Sequence, residues 1–157
     1  MLNIIPTPIG NLEDITVRSI KTLQNSELII VESFEKSKKL FKKYNISAPI
    51  VVNNVFNESN KLNYIITKIK SVKTASLISD SGTPGISDPG FLIIRKCLEL
   101  GIPVFCLPGP TALIPAIIQS GFSSDKFVFE GFLPKKKGKR KRLEILFKEL
   151  RTVIIYE

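Results

Sequence analysis

The sequence predicts an α/β fold in which a mostly parallel sheet is flanked by helices. Short apolar runs alternate with amphipathic stretches of helical period from end to end. Such alternation is typical of parallel sheets, because each crossover between parallel strands needs a connecting helix. The length of 157 residues and the 43% hydrophobic content suit one domain, or one and part of a second, with a buried core.

Seven apolar runs are predicted to be strands. They span residues 2–5, 27–31, 49–53, 74–79, 103–107, 126–130 and 152–156. We expect the first five to form one sheet and the last two to belong to a second, incomplete α/β unit. The predicted domains are therefore residues 1–121 and 122–157, and the final strand should be an exposed edge.

Six helices are predicted between these strands, over residues 15–24, 34–44, 61–71, 89–100, 110–120 and 138–150. In the fourth, Asp88 is expected to be the N-cap, Pro89 the first helical residue and Gly101 the end.

The fifth helix has signals of its own. Pro110 is expected to start it and Gly121 to close it. Pro115 lies inside, so it predicts either a kink or a later start.

Composition excludes several classes of site. The sequence has no His, which rules out a Ser–His triad and a His-bound zinc. Cys97 and Cys106 lack metal-type spacing, and we interpret them as reduced, buried thiols. No apolar run reaches the length of a membrane span, and the start does not resemble a signal peptide. A cytoplasmic protein without a membrane partner is expected.

The net charge of +9 is concentrated in one stretch, PKKKGKRKR at residues 134–142. Removing its seven basic residues from the total of 23 leaves 16 against 14 acidic ones, so the remainder is nearly neutral. Such a patch either attracts nucleic acid through phosphate contacts or only aids solubility. The predicted RNA-binding residues are Lys135, Lys136, Lys137, Lys139, Arg140, Lys141 and Arg142.

Three loops rich in Gly and Pro follow predicted strands, at residues 6–11, 79–88 and 108–111. The carboxyl ends of parallel strands share one edge, where α/β proteins bind ligands, so the loops indicate either a cleft or ordinary turns. The Walker and GxGxxG phosphate loops are absent. Asp80 is expected to accept hydrogen bonds from a ligand or its own loop. Together with Asp88 it forms too thin a ligand set for a metal, and none is predicted.

Four motifs occur in a recognisable order: IIPTPIGNLEDIT, SDSGTPGISDPG, LPGPTALIPAIIQSGF and FEGFLPKKKGKR. On these the whole chain closely resembles rRNA-modifying members of the tetrapyrrole methylase family. The resemblance implies two α/β domains with S-adenosylmethionine in the cleft between them, usually in a homodimer. It further implies methyl transfer to the ribose 2′-oxygen of a cytidine in the 16S rRNA of the small ribosomal subunit.

The resemblance also assigns site residues. Those expected at the cofactor are Pro8, Gly10, Asp80, Ser81, Gly82, Thr83, Pro84, Pro108, Gly109, Pro110, Thr111 and Ala112. Glycines allow close approach of the backbone to a ligand, which agrees with this assignment.

The chain departs from the family pattern in two internal segments and in length. An acidic-Asp-Thr-Arg element is replaced at residues 32–35 by Glu-Ser-Phe-Glu, and a His-containing segment at residues 53–56 by Asn-Asn-Val-Phe. The family's second domain also continues beyond residue 157, so this chain is expected to be truncated or a fragment.

The chemistry needs mainly alignment, because the cofactor supplies the leaving group. A base would assist loss of the hydroxyl proton, and the candidates are Glu32 and Glu58, with Asp80 as a third. Two other functions stay open. One is methylation of a corrin or porphyrin precursor, and the other is an inactive remnant that binds RNA.

Overall fold

Five parallel strands form the main sheet of the computed structural model, which describes residues 1–56, 58–135 and 137–157. In chain order they are β1 Leu2–Ile4, β2 Leu28–Val31, β3 Ile50–Val52, β4 Ala75–Leu77 and β5 Val104–Cys106. Their order across the sheet is β3-β2-β4-β1-β5, and every neighbouring pair is parallel. The predicted five-stranded sheet is confirmed.

Four helices cover this sheet, two on each face. They are α1 Val17–Gln24, α2 Phe34–Lys43, α3 Glu58–Lys70 and α4 Phe91–Glu99. Buried residues of α1 and α2 join one hydrophobic cluster, and those of α3 and α4 join the other. This partition follows from right-handed crossovers, because the chain moves outward to β3 through α1 and α2 and returns through α3 and α4.

Strand β2 shows why the core needs both faces. Leu28 and Ile30 pack in the cluster of α3 and α4, whereas Ile29 and Val31 pack in the cluster of α1 and α2. Successive side chains of a strand point to opposite faces. Because helices cover both faces here, all four side chains are buried. A continuous apolar run is what a strand covered on both sides requires.

The start of α4 differs from the prediction. The N-cap is Gly90, at φ 124°, and the helix begins at Phe91, so Asp88 is not the cap and Pro89 is not the first helical residue. Sequence capping rules miss this because a tertiary contact decides it. The chain passes so close to the sheet that a Cβ on Gly90 would lie 2.9 Å from Leu77 Cδ2.

The end of α4 confirms the prediction for Gly101. This glycine has φ 68°, and its N–H donates to the Leu98 carbonyl at 3.1 Å. The next N–H, of Ile102, donates to the Cys97 carbonyl at 2.9 Å. These two bonds form a Schellman motif, in which a left-handed glycine satisfies the last carbonyls.

The chain divides into two compact units, Met1–Pro110 and Thr111–Glu157. The second contains α5 Leu113–Ser120, α6 Lys137–Leu146 and the parallel strands β6 Phe127–Phe132 and β7 Thr152–Tyr156. The domain limits predicted from sequence, residues 1–121 and 122–157, remain predictions.

Helix α5 starts later than predicted from Pro110. It begins at Leu113, which places Pro115 in the first turn, where the missing N–H interrupts no helical bond. Gly121, at φ 71°, ends the helix as predicted.

Two further observations concern exposure. Cys97 is buried as predicted, but Cys106 is exposed, because it lies on the edge strand β5. Within the described ranges, no helix is both long enough and apolar enough to cross a membrane.

Candidate functional site

The first two of the three Gly- and Pro-rich loops are joined by paired hydrogen bonds. The Thr7 N–H donates to the Gly82 carbonyl and the Gly82 N–H donates to the Thr7 carbonyl, both at 2.9 Å. The Thr7 hydroxyl also donates to the Ser79 carbonyl at 3.1 Å and is buried there. Strands β1 and β4 are neighbours, so their following loops meet at the carboxyl edge as expected.

The third loop joins the same group through a hydroxyl and a close packing contact. The Thr83 hydroxyl donates to the Pro110 carbonyl at 3.2 Å. Gly109 lies against Pro6 so closely that a Cβ there would be 2.8 Å from the proline Cβ. The structure therefore brings the predicted loops together around the ends of β4, β1 and β5.

Ten of the twelve residues predicted at the cofactor lie in this first unit. Among them, Gly82 has φ 72°, a conformation that favours glycine, and space is open around the missing side chain of Gly10. Thr111 and Ala112 begin the second unit, where Ala112 is the N-cap of α5. Their contacts with a cofactor remain predictions.

Asp80 joins the three loops to the neighbouring end of β2. Its N–H donates to Glu32 Oε2 at 3.2 Å, and its Oδ2 forms an ion pair with Lys36 Nζ at 2.8 Å. Two effects of Asp80 raise the pKa of Lys36: chiefly the hydrogen bond between the two side chains, and secondly the negative charge of the carboxylate. The other oxygen, Oδ1, is buried without a hydrogen-bond partner among the described residues. Within the described ranges, only one of the two carboxylate oxygens of Asp80 therefore has a polar partner.

Asp88 forms a cluster of carboxylates with Glu32 and Asp80. The sequence did not predict this position for Asp88. Burial, followed by the nearby charges of Glu32 and Asp80, raises the pKa of this half-buried carboxyl to about 6, against an opposing hydrogen bond from Ser79. In the sequence, Asp before Pro at the start of a helical pattern gives the same signal as a cap. No local signal distinguishes the two roles.

The two predicted catalytic carboxylates both accept loop N–H groups. Glu32 binds the N–H of Asp80, and Glu58 Oε1 accepts the N–H of Gly90 at 2.8 Å. Glu58 thereby holds the start of α4. Glu32 and Asp80, in contrast, also line an open groove, so the structure brings these two together and leaves Glu58 outside the groove lining. Catalytic roles for all three remain predictions.

This groove, which we call the β2–β3 groove, has a volume of about 430 Å³. It is lined by residues of 32–36, 52, 54–56 and by Asp80, so it includes most of the two segments that were expected to depart from the family pattern. Asn53 lies between two lining residues and is 2% exposed, and neither its Oδ1 nor its Nδ2 has a partner within the described ranges. A buried amide without partners is costly unless something binds it.

The predicted RNA-binding residues lie before and along α6. Three of them form ion pairs within the second unit: Lys139 with Glu157 at 2.7 Å, Arg140 with Glu144 at 3.1 Å, and Arg142 with Glu130 through two bonds. The hydrogen bond from Arg142 lowers the pKa of Glu130.

The other members of the basic stretch differ in their surroundings. Lys135, Lys137 and Lys141 are exposed, and no ion pair is seen for them in the described part of the chain. Lys136 lies outside the described residues. The stretch is therefore partly neutralised by acidic neighbours.

Several curated relatives, all named Ribosomal RNA small subunit methyltransferase I, match essentially the whole chain. The protein of Buchnera aphidicola subsp. Schizaphis graminum is 46% identical over 158 residues, which cover 100% of this chain and 55% of that protein. The Thermotoga maritima protein is 43% identical, covering 99% of this chain and 70% of that protein. The Escherichia coli O157:H7 protein is also 43% identical and is covered to 55%. The chain thus spans a little over half the length of most of these relatives.

Solved structures show the same fold. Uroporphyrin III C-methyl transferase from Thermus thermophilus superposes with a TM-score of 0.67 at 15% identity, covering 98% of this chain and 68% of that one. A second structure of that enzyme, complexed with S-adenyl homocysteine, gives a TM-score of 0.64 at 13% identity with the same coverage. At this identity the likeness concerns the fold.

The sequence model of the family Tetrapyrrole (Corrin/Porphyrin) Methylases matches residues 1–157 of this chain. This match agrees with the relatives, the fold and the three joined loops. The chain belongs to the tetrapyrrole methylase family.

Proposed function

We propose that this protein transfers a methyl group from S-adenosylmethionine to the ribose 2′-hydroxyl of a cytidine in the 16S rRNA of the small ribosomal subunit. The observation that carries the proposal is the joined set of loops at one sheet edge, in a chain 42–46% identical to small subunit rRNA methyltransferases. The chain covers only part of most of these relatives, so the activity given in their names is a proposal for this chain.

The residues present fit the cofactor. Close packing of Gly109 on Pro6 and the open space at Gly10 keep side chains away from the loop surface, which suits a ligand that contacts backbone groups. Asp80 Oδ1, which is buried and has no partner in the described part of the chain, is an acceptor for a ligand hydroxyl or amino group. We assign S-adenosylmethionine to this surface, where it would supply the methyl group and the leaving group.

The contribution of the chain is to align the reactants and to accept a proton. Alignment of bound reactants lowers a barrier by roughly 7–11 kcal/mol at best. Of the predicted bases, Glu32 is better placed than Glu58, because it lines a groove open to a substrate. Asp88 lies in the same cluster, and its pKa of about 6 is near the pH at which a base works efficiently.

The partner is rRNA, and the expected location is the cytoplasm, with a homodimer as the assembly. The exposed lysines Lys135, Lys137 and Lys141 support an RNA partner, since such charges contact phosphates and release counterions. Replacing these three by Gln should flatten the salt dependence of RNA affinity by about 0.7 per lost contact. As a matched control, Arg140→Gln removes a charge already paired with Glu144 and should change the slope less.

The direct test uses isolated 30S subunits and S-adenosylmethionine labelled in its methyl group. We expect label at the 2′-oxygen of a cytidine, and less of it with Glu32→Gln. A well-folded protein that binds the cofactor but transfers no label to 16S rRNA would refute the proposal. A parallel assay with a corrin precursor addresses the alternative substrate, against which the basic stretch argues.

A further inference from the structure

The β2–β3 groove presents aromatic and aliphatic surface to solvent. Phe56 is 91% exposed, Val55 63% and Phe34 40%, and all three line the groove. Exposed apolar side chains grouped around a groove mark a binding surface. The volume of about 430 Å³ falls in the range of small-ligand sites, roughly 300–1,000 Å³.

The polar part of this groove consists mainly of acceptors. Glu32, Glu35 and Asp80 contribute carboxylates. Among the described lining residues Lys36 is the one cation, and it is already paired with Asp80. Three carboxylates disfavour a phosphate inside the groove. They favour a ligand that carries N–H donors, such as the exocyclic amino group of a nucleobase.

Helix α2 supplies the opposite charge beside the groove. Five of its ten residues are lysines and one is acidic. Phe34 lines both the β2–β3 groove and a second groove of about 550 Å³, which also includes Lys38 and Lys42. Lys38 Nζ lies 5.6 Å from the centre of the Phe34 ring. Lys36, Lys38 and Lys43 form ion pairs with Asp80, Glu35 and Glu13, whereas no ion pair is seen for Lys39 and Lys42 among the described residues. Phosphates can therefore contact chiefly Lys39 and Lys42 while one base lies against the aromatic ring.

We propose that the β2–β3 groove holds one unpaired nucleotide of the RNA, with an amino-bearing base stacked on Phe34 or Phe56 and its flanking phosphates on the lysines of α2. The proposal rests on the proposed function for the identity of the partner. Stacking on an exposed aromatic and electrostatic contact with the backbone are the usual means of binding single strands. Asn53 is adjacent in sequence to the lining residues Val52 and Asn54, and its two buried polar atoms have no partner among the described residues. The base or ordered water would supply these partners.

The test measures binding of fluorescein-labelled ten-nucleotide RNAs, oligo(C) and oligo(U), by fluorescence anisotropy with the full chain. We expect tighter binding of oligo(C), and about tenfold weaker binding of it by Phe34→Ala or Phe56→Ala. Tyr64→Ala is the matched control, because Tyr64 is also 53% exposed on a helix with a lysine, Lys68, 5.6 Å from its ring. It lies outside the groove and should leave affinity unchanged. Phe34→Leu, which keeps apolar bulk without the ring, should resemble Phe34→Ala.

Two results would overturn the inference: normal affinity in both phenylalanine variants, or equal affinity for oligo(C) and oligo(U). A third result would also overturn it. If calorimetry shows that the phenylalanine variants lose affinity for S-adenosylmethionine in parallel, the groove belongs to the cofactor instead. Failure here is distinct from failure of the proposed function. If the wild type transfers methyl groups and the Phe34 and Phe56 variants bind RNA normally, only the nucleotide site in the groove is refuted. If these variants lose RNA affinity but the wild type transfers no methyl group, only the proposed methyl transfer is refuted.

Discussion

The two halves of the sheet's carboxyl edge are held in different ways. Around β4, β1 and β5, the loops are joined by backbone hydrogen bonds between Thr7 and Gly82 and by the packing of Gly109 on Pro6. Around β3 and β2, the contact with the rest of the edge runs through side chains, chiefly Glu32 and Lys36 on Asp80. The loops of the first half, the closed half, are joined through the backbone. The second half is an open groove in which, counting the described residues only, Asp80 Oδ1 has no hydrogen-bond partner.

The two halves of the edge therefore depend on different kinds of contact. Backbone pairing and glycine contacts depend on main-chain geometry, so they restrict which residues can stand at positions such as Gly109. Side-chain contacts can be replaced one by one. In the β2–β3 half, whose groove is lined by residues 32–36 and 54–56, side chains can thus change without loss of the backbone pairing around β4, β1 and β5.

The largest effect should come from breaking the closed half. In Gly109→Ala the new methyl group would lie 2.8 Å from Pro6 Cβ and 3.1 Å from its Cγ, and a proline ring cannot rotate away. We expect a loss of about 2–3 kcal/mol in the free energy of unfolding, as in overpacked sites, together with loss of S-adenosylmethionine affinity. Urea denaturation and calorimetry measure the two effects.

Gly101→Ala is the control for this change. Its φ of 68° makes a side chain unfavourable by about 1–2 kcal/mol, but no atom of the described residues would lie within 4 Å of the new methyl group. Because Gly101 precedes β5, it lies at the opposite edge of the sheet, and cofactor affinity should not change. If Gly109→Ala were as stable as the wild type and bound the cofactor normally, the closed half would not depend on this contact.

The open half should respond in the opposite direction. Asn53→Leu removes a buried amide whose two polar atoms have no partner among the described residues, and it replaces the amide by apolar volume. We expect the free protein to become more stable by about 1–2 kcal/mol, since the unmatched groups no longer need to be desolvated. RNA affinity should fall at the same time. The exposed Asn63→Leu on α3 should change neither quantity, and destabilisation by Asn53→Leu would show that the amide is satisfied.

The sequence predicted the elements well and the contacts between loops only in part. Alternating apolar runs were sufficient for all seven strands, because β-branched residues such as Ile29 and Ile30 favour extended structure in buried positions. The three loops were also predicted to share an edge. The helix start at Phe91 was missed, since it depends on the approach of Gly90 to Leu77, a contact distant in sequence. The groove could not be predicted either, because its residues come from three separate strand ends.

A smaller effect is expected at Asp88, where the two halves meet. Its folded pKa of about 6 lies above the ordinary value of 3.8, so the folded state binds the proton more tightly. Stability should therefore fall as the pH rises from about 4 to about 6 and stay lower above that. Asp88→Asn removes the penalised charge and should be more stable by about 1–2 kcal/mol at pH 7.5, after allowance for solvent screening. At pH 4 the two proteins should be equal, and an equal difference at both pH values would contradict the assignment.

The smallest change tests whether the third loop is held by its hydroxyl contact as well as by Gly109. Thr83→Val keeps the shape of the side chain but removes the donor to the Pro110 carbonyl. We expect a loss of about 0.5–1.5 kcal/mol in the free energy of unfolding, the usual contribution of one hydrogen bond, and a modest loss of cofactor affinity. Thr67→Val is matched to it, because the Thr67 hydroxyl donates to the Asn63 carbonyl at 2.9 Å within α3. If both variants lose the same stability but only Thr83→Val weakens cofactor binding, the hydroxyl positions the loop for its ligand. If neither affects cofactor binding, the packing of Gly109 on Pro6 alone is sufficient to hold the third loop in place.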